Sequence, residues 1–385
     1  MDPLVQLKAL SEQMSLEPAE DKNCVRTMYP APMEKCPDEI FVHPAILPNG
    51  KHIKLLKSLL TSVCERDCYY CPFRAGRDFR RTTLRPEEFA RLVAMLVSKN
   101  IIEGVFLSSG MSGGGVHTQD KLIDTAEILR YKFGFRGYIH LKIMPGAEKS
   151  QVERSMHLAD RLSINLEAPN GHRLLNLAPH KQFTQELLQP LKWIDEIRHT
   201  QPGYQGWNGR WPSSVTQFVA GGSGESDLEL LTTTEYLYSQ LGLRRAYYSP
   251  FSPIPDTPLE NQPATPVIRE HRLYQASFLL RDYGFDLEEL PFDNDGLLPI
   301  QTDPKMAWAI KNLSDNPIEV NQAESLTLMR IPGIGARGAE AILQQRKHRK
   351  IQEINTLRKM GILSERAAPF LLMDGRRAAY QPALF

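Results

Sequence analysis

Six times between Ile53 and Gly284 a short apolar run is followed by a helix-patterned segment. This alternation constrains the fold more than any other feature of the chain. The runs are "IKLLKSLL", "GVFLSSG", "YIHLKIM", "RLSINLEA", "VTQFVAGG" and "RAYYSPF". Apolar runs of this length, bounded by polar or glycine-rich sequence, read as buried strands. The segments between them carry the helical period. In "RPEEFARLVAMLVSKN", Phe89, Leu92, Val93, Leu96 and Val97 share one face, and Pro86, Glu87 and Glu88 occupy the first turn, where helices accept proline and favour acids. "TQDKLIDTAEILRYKF" opens on Thr118, a side chain suited to an N-cap. Strands alternating with helices require a parallel sheet, doubly wound or curved into a barrel. Nearly every strand ends in polar or glycine residues: Cys64, Ser108 to Gly110, Lys142, Glu167, Gly221 with Gly222, and Ser249. In a barrel these ends share one rim, where strand-end loops build active sites. The predicted fold is therefore α/β: a partial (β/α)6 TIM-like barrel over residues 51–283.

The flanks differ in character. Residues 1–50 have weak periodicity and several prolines, and read as an N-terminal extension. A proline- and acid-rich stretch, 284–317, reads as a linker to a last module, 318–385. There "SLTLMRIPGIGARGAEAILQQRKHRK" gives a helix, a glycine turn and a second helix, and "INTLRKMGILSERAAPFLL" is a looser copy. Two such units predict a small all-α domain. From Ile318 onward there are eleven Lys and Arg against six Asp and Glu, a balance of +5, and the rest of the chain balances at −4. Any polyanion is expected on the tail.

Composition excludes other classes. A hydrophobic fraction of 42% and a charged fraction of 24% are those of a globular protein. No apolar run approaches the roughly 18 residues of a membrane span. The first residues, "MDPLVQLKALSEQMSLEPAEDK", are acidic and lack an apolar signal core, so a cytoplasmic location is expected.

The five cysteines are Cys24, Cys36, Cys64, Cys68 and Cys71. An odd count, with three in "CERDCYYC", argues for metal binding over a disulfide framework. A structural zinc site needs a fourth ligand, which Cys36, Cys24 or His52 would have to supply. No second pair with zinc spacing exists. Three thiolates in a strand-end loop suit an iron–sulfur cube with one iron left open for a small molecule. Cys24 and Cys36 then read as ordinary thiols.

C-x₃-C-x₂-C with an aromatic before the last cysteine, after the first strand of a βα series, resembles the radical S-adenosylmethionine (SAM) superfamily. The resemblance implies a 4Fe–4S cluster on Cys64, Cys68 and Cys71, with SAM chelated at the open iron and cleaved by one electron to give a 5′-deoxyadenosyl radical. It also implies cofactor contacts. Tyr70 stands where the superfamily packs an aromatic near adenine. Ser108, Ser109 and Gly110 replace its glycine-rich turn for the SAM amino group. Ser163, Asn165 and Glu167 share a strand face and match its polar strand. Gln217, Val219 and Gly221 match its adenine-lining strand, with Glu225 one place off the usual spacing. Lys142 either snorkels to the surface or faces the substrate.

"IPGIGARGAEAIL" resembles the helix–hairpin–helix motif of DNA repair proteins. Glycines let the backbone approach a phosphate, and helix N-terminal amides point at the anion. Gly333, Gly335, Arg337, Gly338, Arg346 and Lys347 are the candidate nucleic-acid contacts. The strings "KLLKSLLTSVCERDCYYC", "EGVFLSSG", "GYIHLKIMPGA", "LRRAYYSPFSPIPDTP", "REHRLYQA" and "RIPGIG" together resemble a family of DNA modification/repair radical SAM proteins. That likeness covers Ile53 to Leu372 and departs from the family around Cys36, at "EAPNGHRLLN" and in the acidic linker. It implies a nucleic-acid substrate, DNA before RNA, an electron donor, and a uracil-DNA-glycosylase-like partner. The alternatives are RNA base modification and a non-catalytic DNA-binding protein stabilised by metal. An iron–sulfur DNA glycosylase is rejected, because there the cysteines follow the hairpin and here they precede it.

Overall fold

The structure, a computed structural model, describes residues 2–14, 42–47 and 50–377. Contacts divide the chain into two compact units. One holds residues up to Glu225 together with Tyr236–Glu270; the other holds Ser226–Glu235 and everything from His271.

The first unit is built on a seven-stranded sheet: β1 (Val42–Ile46), β2 (His52–Leu59), β3 (Gly104–Ser108), β4 (Tyr138–Lys142), β5 (Arg161–Ser163), β6 (Ser213–Ala220) and β7 (Arg245–Pro250). Spatial order equals chain order. β1 is antiparallel to β2, and every later pair is parallel. Parallel neighbours need crossovers. These are α2 (Pro86–Ser98), α3 (Gly114–Glu127), α4 (Lys149–Leu158), and the pair α5 (Gly171–Leu175) and α6 (Gln189–Thr200); α7 (Asp227–Leu241) follows β6, and α8 (Val267–Asp282) follows β7. Numbering starts with α1 (Pro3–Glu12). Six parallel strands in sequential order form the predicted half-barrel, with one further strand at its edge. In register Val105 lies between Leu56 and Ile139, and Leu141 between Leu107 and Leu162. All of β3 is buried, as a strand covered on both faces must be.

Three local expectations change. The segment expected as an extension supplies sheet and core: β1 pairs with β2, Leu7, Leu10 and Met14 are buried, and Ser11 Oγ donates to Lys57 O at 2.8 Å. α3 starts at Gly114, ahead of Thr118, because the Glu65 carboxylate accepts from Gly113 N (3.0 Å) and Gly114 N (2.9 Å). The Thr118 hydroxyl instead donates back to Gly114 O within the helix. β5 stops at Ser163, although the chain stays near β6 through Ile164 N to Val215 O and Glu167 N to Gln217 O. Cys24 and Cys36 lie outside the described residues.

The second unit is not all-α. It contains α9 (Pro304–Leu313), α10 (Ser325–Met329), α11 (Ala336–His348), α12 (Ile354–Lys359) and α13 (Ser364–Ala367), but also a three-stranded sheet of β8 (Ile318–Glu319), β9 (Leu371–Met373) and β10 (Arg376–Arg377). These strands are two or three residues long, too short for the alternation by which strands are recognised. α9 lies inside the expected linker; Asp303 caps it by accepting from Met306 N at 2.9 Å. Phe285 packs edge-on against Trp308, with Arg330 over both rings. Among the described residues no helix is long and apolar enough to cross a membrane.

Candidate active site

The loop after β2 carries Cys64, Cys68 and Cys71, and backbone bonds fix it. Gly110 N donates to Thr61 O (2.7 Å) and Glu65 N to Met111 O (2.8 Å), so the loop is stitched to the end of β3. A Cβ on Gly110 would fall 2.3 Å from Val63 O, so only glycine allows this approach. Across the rim, Tyr69 N donates to Leu177 O at 2.7 Å, and the Asp67 carboxylate lies 2.8 Å from His180 Nδ1. The Arg66 guanidinium reaches Glu186 at 2.5 Å, the His180 carbonyl and, through Nε, Met111 Sδ at 3.1 Å. Arg81 donates to the carbonyls of Ser62, Phe73 and Arg74, which pins both ends of the loop.

These elements enclose a cavity of about 260 Å³ at the carboxyl ends of the strands. Cys64, Cys68 and Cys71 line it together with Tyr70, Ser108, Ser109, Gly110, Asn165, Glu167, Gln217 and Val219. Two nominated residues are not brought to it. Ser163, the last residue of β5, is buried off the cavity lining with its hydroxyl lacking a hydrogen-bond partner. Gly221 makes a left-handed turn, its amide bonded to the Glu225 carboxylate, and a Cβ there would strike Thr265 Oγ1. Glu225 is thus spent on that turn and on Arg269. Lys142 does line the cavity.

Glu167 is the most constrained residue of the site. It is 5% exposed and adopts φ 65°, a left-handed conformation that costs about 1–3 kcal/mol for a non-glycine residue. Its Oε1 accepts from Lys181 Nζ at 3.2 Å, whereas its buried Oε2 has no hydrogen-bond partner. A buried carboxylate oxygen without a partner is costly and suits an acceptor awaiting a ligand's hydroxyl or ammonium. Asn165 Nδ2 reaches Gln217 Oε1 at 3.4 Å beside it.

Lys181 was not anticipated. It lies in the "APHKQF" segment, where no spacing marks it, yet it lines the cavity with its side chain 9% exposed. Its ammonium also sits 3.5 Å from the Tyr70 hydroxyl. Burial alone would lower its pKa, but the charge Cys68 carries once deprotonated, and then the Glu167 carboxylate beside it, outweigh burial and raise it. Gln13 and Met14, just past α1, also line the cavity, from a segment with no motif at all.

The thiols fit a cluster. Burial pushes the Cys68 thiol up, opposed by Lys181 and reinforced by Glu167. Burial and then Cys68 push Cys71 up strongly. Such thiols are poor nucleophiles, and binding a metal is what would remove their protons. Among the described residues, no three His, Cys, Asp or Glu converge as ligands of a single ion do. A cube bonds each thiolate to a different iron and needs no such convergence. The unpartnered Glu167 oxygen fits SAM beside it.

In the second unit, α10 and α11 are joined by the turn 330–335. Gly333 has φ 87°, and a Cβ on it would meet Leu363 O at 2.5 Å, so the two glycine turns interlock. Gly335 N-caps α11, and no side chain caps the helix. Arg337 and Lys347 are exposed. Two other nominated contacts are occupied internally. Arg346 donates to Ala323 O (2.6 Å) and Val320 O (3.3 Å), and Gly338 packs against Ile362.

A parallel half-barrel with three thiols in the loop after its first parallel strand, facing a cavity of polar strand ends, defines a site for a cluster and a small cofactor. Residues 58–237 match the family model of the Radical SAM superfamily. The chain therefore carries a radical SAM domain, and its cofactors are a 4Fe–4S cluster and SAM; members of the superfamily are enzymes that cleave SAM reductively. No curated protein gives a match. Among solved structures, the chain is similar to the FeFe-hydrogenase maturase HydG from Carboxydothermus hydrogenoformans (15% identity, TM-score 0.45, 59% of this chain and 51% of that one). It is also similar to methylornithine synthase (PylB), at 15% identity and TM-score 0.45, over 59% and 62% of the two chains. A third is the cobalamin-dependent S-adenosylmethionine radical enzyme OxsB, at 14% identity and TM-score 0.33, over 76% and 46%. The chain thus spans 51% and 62% of the lengths of the first two.

Proposed function

We propose that this protein is a radical SAM enzyme that modifies or repairs a nucleic acid, DNA in preference to RNA. Cys64, Cys68 and Cys71 would hold the cluster. Asn165, Glu167, Gln217, Val219, Tyr70 and the turn Ser108 to Gly110 would hold SAM. When bound, the pair supplies one-electron reductive cleavage of SAM. The chain's own residues position the pair: Glu167 offers an acceptor, and Gly110 lets the cysteine loop pack closely on the end of β3. An electron donor is a required partner of this chemistry.

The observation that carries the polymer assignment is the α10–α11 turn. The α11 N-terminus has no side-chain cap, Gly335 leaves its backbone approachable, and Arg337 is exposed in its first turn. Such an end suits a phosphate, and it lies on the segment with the +5 balance. The second glycine turn supports the reading that 318–385 is a helix–hairpin–helix module. Only Gly333, Gly335, Arg337 and Lys347 remain as contacts, because Arg346 and Gly338 are committed to packing. A cavity of about 260 Å³ has no room for a duplex, so a target base would have to leave the stack. The resemblance to DNA modification/repair proteins adds a uracil-DNA-glycosylase-like protein as a proposed partner.

Anaerobic reconstitution with SAM, a reductant and matched DNA and RNA oligonucleotides, followed by mass analysis of the polymer, tests the reading. A mass change in DNA that depends on SAM and reductant is expected. SAM cleavage with both polymers unaltered and unbound would overturn the nucleic-acid assignment while leaving the cofactor assignment intact.

A further inference from the structure

We propose that Lys181 is a positioning residue that sets the reduction potential of the cluster, by holding a compensating positive charge inside the cluster cavity. The inference rests on the assignment of the cluster to Cys64, Cys68 and Cys71.

A cube held by three thiolates is net negative when oxidised, and reduction adds another negative charge. Glu167 places one more in the same cavity, 5% exposed. Burial weakens screening by water, so each further negative charge disfavours reduction and each positive charge favours it. Among the described residues, three cations line this cavity: Arg66, Lys142 and Lys181. Arg66 is committed to Glu186, the His180 carbonyl and Met111. Lys142 is half-buried at the end of β4. Lys181 is the most desolvated, at 9% exposure, and is held from two sides, by Glu167 Oε1 at 3.2 Å and the Tyr70 hydroxyl at 3.5 Å. Tyr70 immediately precedes Cys71, so the ammonium is anchored to the cysteine loop itself. A lysine that only braced Glu167 would do so at the surface at far lower desolvation cost; buried in the cavity the three thiols line, its charge acts on whatever charge they carry.

The test is an anaerobic redox titration with a dithionite-class reductant, without SAM, reading the reduced cluster by electron paramagnetic resonance and iron per chain in parallel. Lys181→Met is expected to keep its iron and to titrate at a more negative midpoint. At the wild-type midpoint its ratio of reduced to oxidised cluster should fall at least about tenfold, which is about 59 mV for a one-electron couple. Lys181→Arg should restore the wild-type value, and Glu167→Gln, which removes a negative charge, should shift it the opposite way. An unchanged midpoint in Lys181→Met overturns the proposal. So does an unchanged midpoint combined with weakened SAM binding, which would make Lys181 a cofactor contact only. If Lys181→Met loses its iron, Glu167→Gln decides, and a midpoint that stays or falls overturns the proposal. Failure of the cluster assignment looks different: iron persists after the three cysteines are replaced, or wild type takes up none.

Discussion

The two rims of the half-barrel each bury charge, and they treat it in opposite ways. At the amino ends of the strands Arg130 is wholly buried, yet every face of its guanidinium is answered: Asp160 at 3.0 Å, and the carbonyls of Leu158, Phe135 and Gly137 at 2.9, 2.8 and 2.7 Å. Trp207 stacks 3.8 Å from it, and Asp160 also accepts from Ile139 N. At the carboxyl ends Glu167 sits in a strained backbone conformation with one oxygen unanswered, and three thiols face a cavity. A saturated network stabilises a fold, whereas an unanswered oxygen of a buried charged group beside a cavity suits a ligand. Trp207 Nε1, beside Arg130, is also buried without a partner, so what marks the carboxyl rim is the unanswered oxygen of a charged group together with the thiol-lined cavity.

The largest effect that sharpens this contrast is loss of the cluster. Replacing Cys64, Cys68 or Cys71 with alanine should abolish the brown chromophore and iron uptake, with the fold retained by circular dichroism. Arg130→Ala should do the converse. It leaves Asp160 buried and unpaired, at a cost of about 3–5 kcal/mol in denaturant unfolding, while any protein that remains folded still binds iron. Cluster loss in Arg130→Ala under folded conditions would blur the distinction between the rims.

Glu167→Ala should keep the cluster and weaken SAM binding by about 1–3 kcal/mol, the usual worth of a charge-assisted hydrogen bond. Equilibrium binding to the oxidised protein checks this; unchanged affinity would mean the unpartnered oxygen has no cofactor role. The smallest effect belongs to the second unit. Arg337→Ala should reduce the salt slope of duplex binding by about one unit, with little change in stability. Arg346→Ala should instead destabilise that unit by about 1–2 kcal/mol, because its bonds to Val320 and Ala323 are internal.

What was legible in the sequence follows the same physical lines. The half-barrel was readable because each strand is a contiguous apolar run and each helix carries its own period. That Cys64, Cys68 and Cys71 face one cavity was readable because they share one short loop. Strand alternation brought Asn165 and Glu167 to the cavity even though both lie past the end of β5, whereas Ser163, inside the strand, is buried off the cavity lining. Lys181 and Gln13 reach the cavity through tertiary placement, which no spacing records. The helix start of α3 was misplaced for a similar reason: its cap comes from Glu65, far back in the chain. The small sheet of the second unit was invisible because two- and three-residue strands have no pattern to repeat.

The central claim is that the upper cavity is built for a cluster and SAM together. Its most direct test is anaerobic reconstitution followed by reduction with SAM present. The account predicts about four irons per chain, as one cube requires, and reductive SAM cleavage that disappears with each of Cys64→Ala, Cys68→Ala and Cys71→Ala. Stoichiometric zinc with no iron uptake, and SAM left intact under reduction, would contradict it.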